Sequence, residues 1–189
     1  MKRIAIFASG SGTNFQAIVD AVKKGDLQAE VALLVCDRPE AKVVERAKKE
    51  QIPSFVFRPK DYPSKADFEQ EILQQLKEKQ IQFIVLAGYM RLIGPTLLRA
   101  YEGKMVNIHP SLLPAFPGKD AIGQAYRAGV KVTGVTVHYV DEGMDTGPII
   151  AQRAIDIYEG EALESVETRI HAIEHELYPE VLKKLLEHL

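Results

Sequence analysis

The sequence has few of the features that mark disulfide-rich, membrane-spanning or nucleic-acid-binding proteins. Its single cysteine, Cys36, cannot form an internal disulfide, and its position in an apolar run indicates a buried thiol in a reducing compartment. No stretch approaches the roughly 18 apolar residues of a membrane span. A net charge of -2 gives no reason to expect nucleic acid or an anionic membrane as a partner. Together these features predict a cytoplasmic protein.

The chain also lacks internal repeats, low-complexity segments and an obvious linker. Its 189 residues are 46% apolar and 26% charged, which is ordinary for a globular protein that buries a full core. The N-terminus is basic and then apolar, as in a signal peptide, but a glycine–serine turn follows the short apolar run at once and indicates a first strand instead. We therefore predict a single domain over residues 1–189.

Short apolar runs alternate with amphipathic segments through the first half of the chain. This alternation is typical of β-α-β crossovers and predicts an α/β fold, with a mostly parallel twisted sheet and helices on both faces. Ligands of such sheets bind beyond the carboxyl ends of the strands. The predicted strands are residues 4–8, 31–36, 54–57, 83–87 and 105–109; the predicted helices begin after residue 14, at residue 39 and at residue 64; the candidate ligand loops are residues 9–14, 87–93, 107–118 and 141–147.

The second half of the chain has a different pattern. Residues 132–140 alternate valine and threonine, and another extended run covers residues 149–157 after a short turn. A direct hairpin between these two runs predicts an antiparallel addition to the parallel sheet. One long helix is predicted from Glu161 to about Glu187, and Pro179 is expected to kink it or divide it in two.

Two polar residues stand at the end of the predicted strand 105–109. Asn107 and His109 are two positions apart, so their side chains share a face of the strand. An amide donor can stabilise a developing oxyanion, and an imidazole is the side chain best suited to move protons near neutral pH. The pair therefore indicates a catalytic site, although two polar residues that simply meet solvent at a strand end are the alternative.

The glycine loop, residues 9–14, follows the first strand and opens the first helix. Backbone N–H groups there and the positive end of the helix dipole predict a phosphate site around Gly10 and Gly12. A dinucleotide fingerprint would have a third glycine where this chain has Phe15, so a monophosphate is favoured over NAD. Asp37 could still act as the ribose-binding acid of a dinucleotide fold. A tight turn without a ligand is the remaining alternative.

A second loop, residues 141–147, carries three carboxylates between two predicted strands. Turns often contain aspartate and glycine for geometric reasons alone, so a solvated turn is one interpretation. The other is that one carboxylate reaches His109 and stabilises its protonated form. The residues themselves do not distinguish Asp145 from Asp141 or Glu142.

Four motifs match a known family in order and spacing: Ser-Gly-Ser-Gly-Thr-Asn at 9–14, Leu-Ala-Gly-Tyr-Met-Arg at 86–91, Asn-Ile-His-Pro-Ser-Leu-Leu-Pro at 107–114 and Gly-Met-Asp-Thr-Gly-Pro at 143–148. Over essentially its whole length the chain resembles the folate-dependent phosphoribosylglycinamide formyltransferases of purine biosynthesis. The resemblance implies a Rossmann-like formyltransferase fold. It also implies that the N-terminal half binds the nucleotide phosphate and that the C-terminal half completes the folate site.

The resemblance implies a reaction as well. The amine of glycinamide ribonucleotide would attack the formyl carbon of 10-formyltetrahydrofolate, which acts as the cosubstrate, without a metal. Asn107 would hold the carbonyl oxygen as it becomes an oxyanion, and His109 would supply or relay the proton that the leaving folate nitrogen needs. Asp145 would pair with His109 and, through water, accept the proton that the amine loses.

The same resemblance implies binding residues. Nucleotide contacts fall on Gly12, Thr13, Asn14 and Glu174; folate contacts fall on Lys65, Met90, Arg91, Leu92, Ile93, Asn107 and Asp141. Two positions depart from the family pattern. Lys65 stands in place of an arginine, which keeps the charge but loses the planar guanidinium. His171 stands in place of a glutamine that assists Glu174. The implied partners are these two small molecules, and the sequence does not indicate an oligomeric state.

Four other interpretations fit the sequence less well. Residues 171–175 fit the His-x-x-Glu-His pattern of inverted zinc proteases, but so short a match arises easily by chance, and no metal is expected. A 10-formyltetrahydrofolate hydrolase would carry an extra N-terminal domain, and methionyl-tRNA formyltransferase a further C-terminal domain and a basic face. A non-catalytic nucleotide-binding module would have no use for Asn107, His109 and Asp145 together.

Overall fold

The alternating runs of the sequence form one seven-stranded sheet in the computed structural model, which describes residues 1–189. The strands are β1 (Lys2–Phe7), β2 (Ala29–Cys36), β3 (Ser54–Val56), β4 (Phe83–Leu86), β5 (Met105–His109), β6 (Val132–Tyr139) and β7 (Ile149–Asp156). Their order in the sheet is β3-β2-β1-β4-β5-β6-β7. Strands β1 to β5 pair in parallel, and β6 and β7 add to β5 antiparallel, so the predicted mixed sheet is confirmed.

Helices cover both faces of the sheet. They are α1 (Thr13–Lys24), α2 (Lys42–Lys49), α3 (Lys65–Glu78), α4 (Pro95–Ala100), α5 (Ala121–Ala128) and α6 (Leu163–Glu187), with a 3-10 turn at Pro59–Asp61. Strand β1 shows why two layers form, because Ile4 and Ile6 pack into a core with α1, α2 and α6, whereas Ala5 and Phe7 pack into a core with α3 and α4. Alternate side chains of a strand point to opposite faces, so a strand that is apolar on both faces requires helices on both sides of the sheet.

The long C-terminal helix continues through Pro179 without interruption. Of the two outcomes predicted for this proline, a kink or a division of the helix, the division is wrong. A proline removes one backbone hydrogen bond, but buried residues on both sides of it, Tyr178 and Leu182 among them, hold the two turns against the sheet. The hydroxyl of Tyr178 donates to the carbonyl oxygens of Leu86 (2.6 Å) and Val106 (3.3 Å), which ties α6 to β4 and β5. No helix in the fold has the length and apolar character needed to span a membrane.

Candidate active site

A cavity of about 440 Å³ lies beyond the carboxyl ends of β4 and β5. Three of the four candidate ligand loops contribute to its wall. Its lining includes the predicted residues Met90, Arg91, Leu92, Ile93, Asn107, His109, Asp141 and Asp145. The lining also includes the exposed apolar side chains of Met90, Leu92 and Met144. Such a cavity, with apolar side chains and a few convergent polar groups, suits a small organic ligand.

His109 and Asp145 meet inside this cavity although 36 positions separate them in the sequence. The Nδ1 atom of His109 lies 3.5 Å from Oδ2 of Asp145, and both side chains are nearly buried. The other ring nitrogen, Nε2, donates to the carbonyl oxygen of Phe116 at 2.9 Å. The same Asp145 oxygen accepts a hydrogen bond from the backbone N–H of Gly118 at 2.8 Å. The imidazole and the carboxylate are therefore both held in place by the loop that follows β5.

The other two carboxylates of the acidic loop have different positions. Oδ1 of Asp141 accepts hydrogen bonds from the backbone N–H of Gly143 (3.0 Å) and from the hydroxyl of Thr146 (2.6 Å), so this side chain holds the turn together. Glu142 is exposed to solvent. Asp145 has a φ of 57°, a left-handed backbone conformation that aspartate tolerates better than most residues. This local conformation, which the sequence pattern does not reveal, distinguishes Asp145 from its neighbours.

A residue that the sequence reasoning missed, His138, contacts both the amide and the carboxylate of the site. The antiparallel register places it directly opposite Asn107 on the neighbouring strand. Its Nδ1 donates to the carbonyl oxygen of Tyr139 (2.8 Å), so Nε2 of the neutral ring is an acceptor and takes a hydrogen bond from Nδ2 of Asn107 (3.3 Å). Nε2 also lies 3.8 Å from Oδ1 of Asp145. The contact with His138 fixes the orientation of the Asn107 amide and leaves its second N–H for a ligand.

Residues 90–93, the folate segment that the resemblance implies, are anchored on both sides. The Nζ atom of Lys65 donates to the carbonyl oxygen of Leu92 at 2.8 Å, and Lys65 does not line the cavity. The Nε atom of Arg91 pairs with the buried Asp37 at 2.9 Å. Ile93 turns into the core beside α3 and α4. In this structure Lys65 therefore supports the backbone of the segment.

The glycine loop is built as the sequence predicts for an anion site, at the N-terminus of the 12-residue helix α1. Gly12 has a φ of 77°, and a Cβ atom at this position would lie 2.6 Å from Cγ2 of Val43, so only glycine fits. Ser11 and Thr13 are exposed, and no side chain caps the helix. Its first N–H groups are therefore available to a phosphate. Asn14 is half-buried in the first turn, and the loop lies outside the lining of the 440 Å³ cavity.

The interpretation of Asp37 as a ribose-binding acid is wrong. Its side chain is only 2% exposed, and both carboxylate oxygens are used within the protein. Oδ1 accepts from the hydroxyl of Ser9 at 2.5 Å, and Oδ2 accepts from Arg91. Because the carboxylate is buried and both of its oxygens are paired within the protein, it does not face a ribose hydroxyl.

Glu174 lies on α6, buried, one turn before Tyr178. Its Oε1 is 2.6 Å from Nδ1 of His171, and this hydrogen bond raises the pKa of the His171 imidazole. Burial lowers the pKa of His175, which lies next to Glu174 in the sequence. The His-x-x-Glu-His pattern is thus a bonded pair followed by a desolvated ring, and the structure contains no group of three or more His, Cys, Asp or Glu side chains arranged to hold a metal ion.

Replacing His171 with glutamine is expected to weaken the pH dependence of stability near neutral pH. Because the folded-state pKa of His171 lies above its unfolded value of about 6.5, its stabilising effect is complete below that pH and is lost as the pH rises through the folded pKa. Since the ring is half exposed, the effect is at most about 1 kcal/mol. Urea unfolding of both proteins from about pH 5.5 to 8.5, in steps of ~0.5 pH units, measures the free energy of unfolding at each pH. A difference in unfolding free energy that is constant with pH would contradict this prediction.

Comparisons with known proteins agree with this fold. The family model described as formyl transferase matches residues 2–182. The phosphoribosylglycinamide formyltransferase of Bacillus subtilis is 64% identical over 98% of this chain and 95% of its own length. Glycinamide ribonucleotide transformylase 1 from Geobacillus kaustophilus has a crystal structure that superposes with a TM-score of 0.96 at 77% identity, covering 98% of this chain and 99% of that one. The crystal structure of phosphoribosylglycinamide formyltransferase from Bacillus halodurans superposes with a TM-score of 0.95 at 68% identity, covering 98% of this chain and 95% of that one.

Proposed function

Since the chain belongs to the formyl transferase family, we propose that it transfers the formyl group of 10-formyltetrahydrofolate to the amine of glycinamide ribonucleotide in purine biosynthesis. The family uses a folate-derived formyl donor. The observation that carries the proposal is the convergence of an amide, an imidazole and a carboxylate in one cavity beside residues 90–93. The near-complete match with phosphoribosylglycinamide formyltransferases supports it, and no comparison favours a hydrolase or a non-catalytic module.

Asn107 acts on the oxygen of the formyl group. When the amine attacks the formyl carbon, that oxygen gains negative charge, and the free N–H of the Asn107 amide donates to it. His138 holds the amide in this orientation through the 3.3 Å contact, so the donor is oriented before charge develops. A preorganised donor of this kind stabilises the transition state more than the ground state.

His109 and Asp145 move the protons. A bond forms between the amine nitrogen and the formyl carbon, and the bond from that carbon to the folate nitrogen breaks. The amine loses one proton and the folate nitrogen gains one. His109 supplies or relays the proton to the folate nitrogen, while the Asp145 carboxylate stabilises the charged ring and accepts the amine proton through water.

The two substrates use separate sets of residues. The phosphate of the nucleotide takes the N–H groups and side chains of Gly12, Thr13 and Asn14, and Glu174 contacts the ribose and the amine. The folate lies in the 440 Å³ cavity, whose lining contains none of these nucleotide residues. In this proposal its contacts are Met90, Arg91, Leu92, Ile93 and Asn107, with Asp141 on the pterin side, while Lys65 acts indirectly by holding the carbonyl oxygen of Leu92.

A formyl-transfer assay tests this proposal. With 10-formyltetrahydrofolate as donor, glycinamide ribonucleotide is expected to be formylated at a rate that depends on both substrates, while a reaction without nucleotide releases no formate above background. The tetrahydrofolate product can be followed in both reactions, and mass spectrometry of the nucleotide identifies the acceptor. Release of tetrahydrofolate and formate without the nucleotide, at the rate seen with it, would instead identify a hydrolase.

A further inference from the structure

A buried hydrogen-bond relay joins the glycine loop to the folate segment. Its central member is Asp37, directly after β2, whose two oxygens accept from Ser9 and from Arg91. Ser9 is the first residue of the glycine loop and is 1% exposed. Its hydroxyl also accepts a hydrogen bond from the backbone N–H of Met90 at 2.9 Å, and its own backbone N–H donates to the carbonyl oxygen of Gly88 at 3.1 Å. Four hydrogen bonds therefore link residues 9, 37 and 88–91.

The relay reaches both proposed ligands without occupying either site. Asp37 uses only the Nε atom of Arg91, whose side chain is 40% exposed and lines the cavity, so its terminal nitrogens remain free. On the other side, Ser9 lies three residues before Gly12, in the loop that bends into the N-terminus of α1. Neither Ser9 nor Asp37 lines the cavity.

We propose that Asp37 and Ser9 are positioning residues that couple the nucleotide site to the folate site, so that either substrate binds more tightly when the other is bound. The inference rests on the proposed function. A phosphate on residues 12–14 orders the glycine loop, and through Ser9 and Asp37 it orders the backbone of Met90 and the side chain of Arg91. Because the first ligand has already ordered this segment, the second ligand binds with a smaller loss of conformational entropy.

The charge on Asp37 makes the relay specific. A buried carboxylate is tolerated only when it is paired and hydrogen-bonded, so breaking its contact with either loop leaves a costly unpaired charge. The two loops are therefore held in one joint arrangement and do not adjust independently. Coupling between two ligand sites is reciprocal, and typical values are about 5- to 150-fold in affinity.

The chain offers a matched control in Glu69. This carboxylate is also buried, at 1% exposure, and it accepts a hydrogen bond from the backbone N–H of Gly94 at 2.8 Å, just after the folate segment. It has no hydrogen bond to the glycine loop. Glu69→Gln therefore perturbs a buried acid beside the folate segment while the relay stays intact.

Calorimetric titration measures the coupling directly. The affinity for tetrahydrofolate, which has no formyl group to transfer, is measured with and without saturating glycinamide ribonucleotide. The unaltered protein is expected to show at least about fivefold tighter binding with the nucleotide, and the reciprocal titration the same factor. Ser9→Ala and Asp37→Asn are each expected to reduce the factor to near one, whereas Glu69→Gln keeps it. Thermal melts confirm that each variant is folded.

The outcomes separate this inference from the function on which it rests. If the unaltered protein binds both ligands but neither ligand changes the affinity for the other, the coupling is overturned and the proposed function is not. A factor that persists in the folded Ser9→Ala and Asp37→Asn proteins, or that is lost equally in Glu69→Gln, also overturns it, since the relay would not be its route. Failure of the unaltered protein to bind either ligand overturns the proposed function as well.

Discussion

His109→Ala is expected to lower kcat by about 10²- to 10⁴-fold, the range found when a general acid or base is removed. The dissociation constant for glycinamide ribonucleotide should stay within about twofold, because His109 lies in the cavity and the proposed phosphate site lies outside it, at the N-terminus of α1. Steady-state kinetics with both substrates gives kcat, and calorimetry gives the nucleotide affinity.

His188→Ala is the matched control, since this histidine is exposed beyond the end of α6 and lies far along the chain from the cavity lining. It should retain full activity. Asp145→Asn keeps the size of the side chain and removes its charge, so it should resemble His109→Ala in kcat. If His109→Ala and Asp145→Asn both turn over at the normal rate, the proton-transfer roles are wrong.

Asn107→Ala is expected to lower kcat and kcat/KM together by about 10²- to 10³-fold, as the loss of one oxyanion donor does. The equal fall in both parameters is the diagnostic feature, because the amide would act on charge that appears only in the transition state. His138→Ala leaves the donor in place but removes the contact that orients it, so a smaller loss is expected. A rise in KM at constant kcat for Asn107→Ala would show that the amide only binds the ground state.

Strand β5 shows how far sequence reasoning reaches. Its bounds, residues 105–109, follow from an apolar run that a proline ends, and the alternation within it correctly puts Asn107 and His109 on one side. The parallel order of the neighbouring strands follows from the crossover helices. Neither α4 nor α5 is among the predicted helices, and α4, with six residues, is too short for helical periodicity to emerge.

The contacts of the site depend on geometry that no single segment encodes. His138 is opposite Asn107 because of the antiparallel register between β5 and β6, and a one-residue shift would point it to the other face. Asp145 and Asp141 have the same side chain, and only their backbone conformations separate a cavity carboxylate from a turn-forming one. Asp37 looked like a ribose ligand because its position after β2 suggests one, yet Ser9 and Arg91 satisfy it internally.

The proposed mechanism depends on three distant segments surrounding one carbon atom. A crystal structure with glycinamide ribonucleotide and an unreactive folate analogue that carries a formyl-like carbonyl tests this most directly. We expect the carbonyl oxygen within about 2.7–3.1 Å of the Asn107 amide nitrogen, and the nucleotide amine about 3–3.5 Å from the carbonyl carbon, with His109 and Asp145 beside it. A folate whose carbonyl lies outside this cavity, or a nucleotide whose amine points away from His109, would contradict the mechanism.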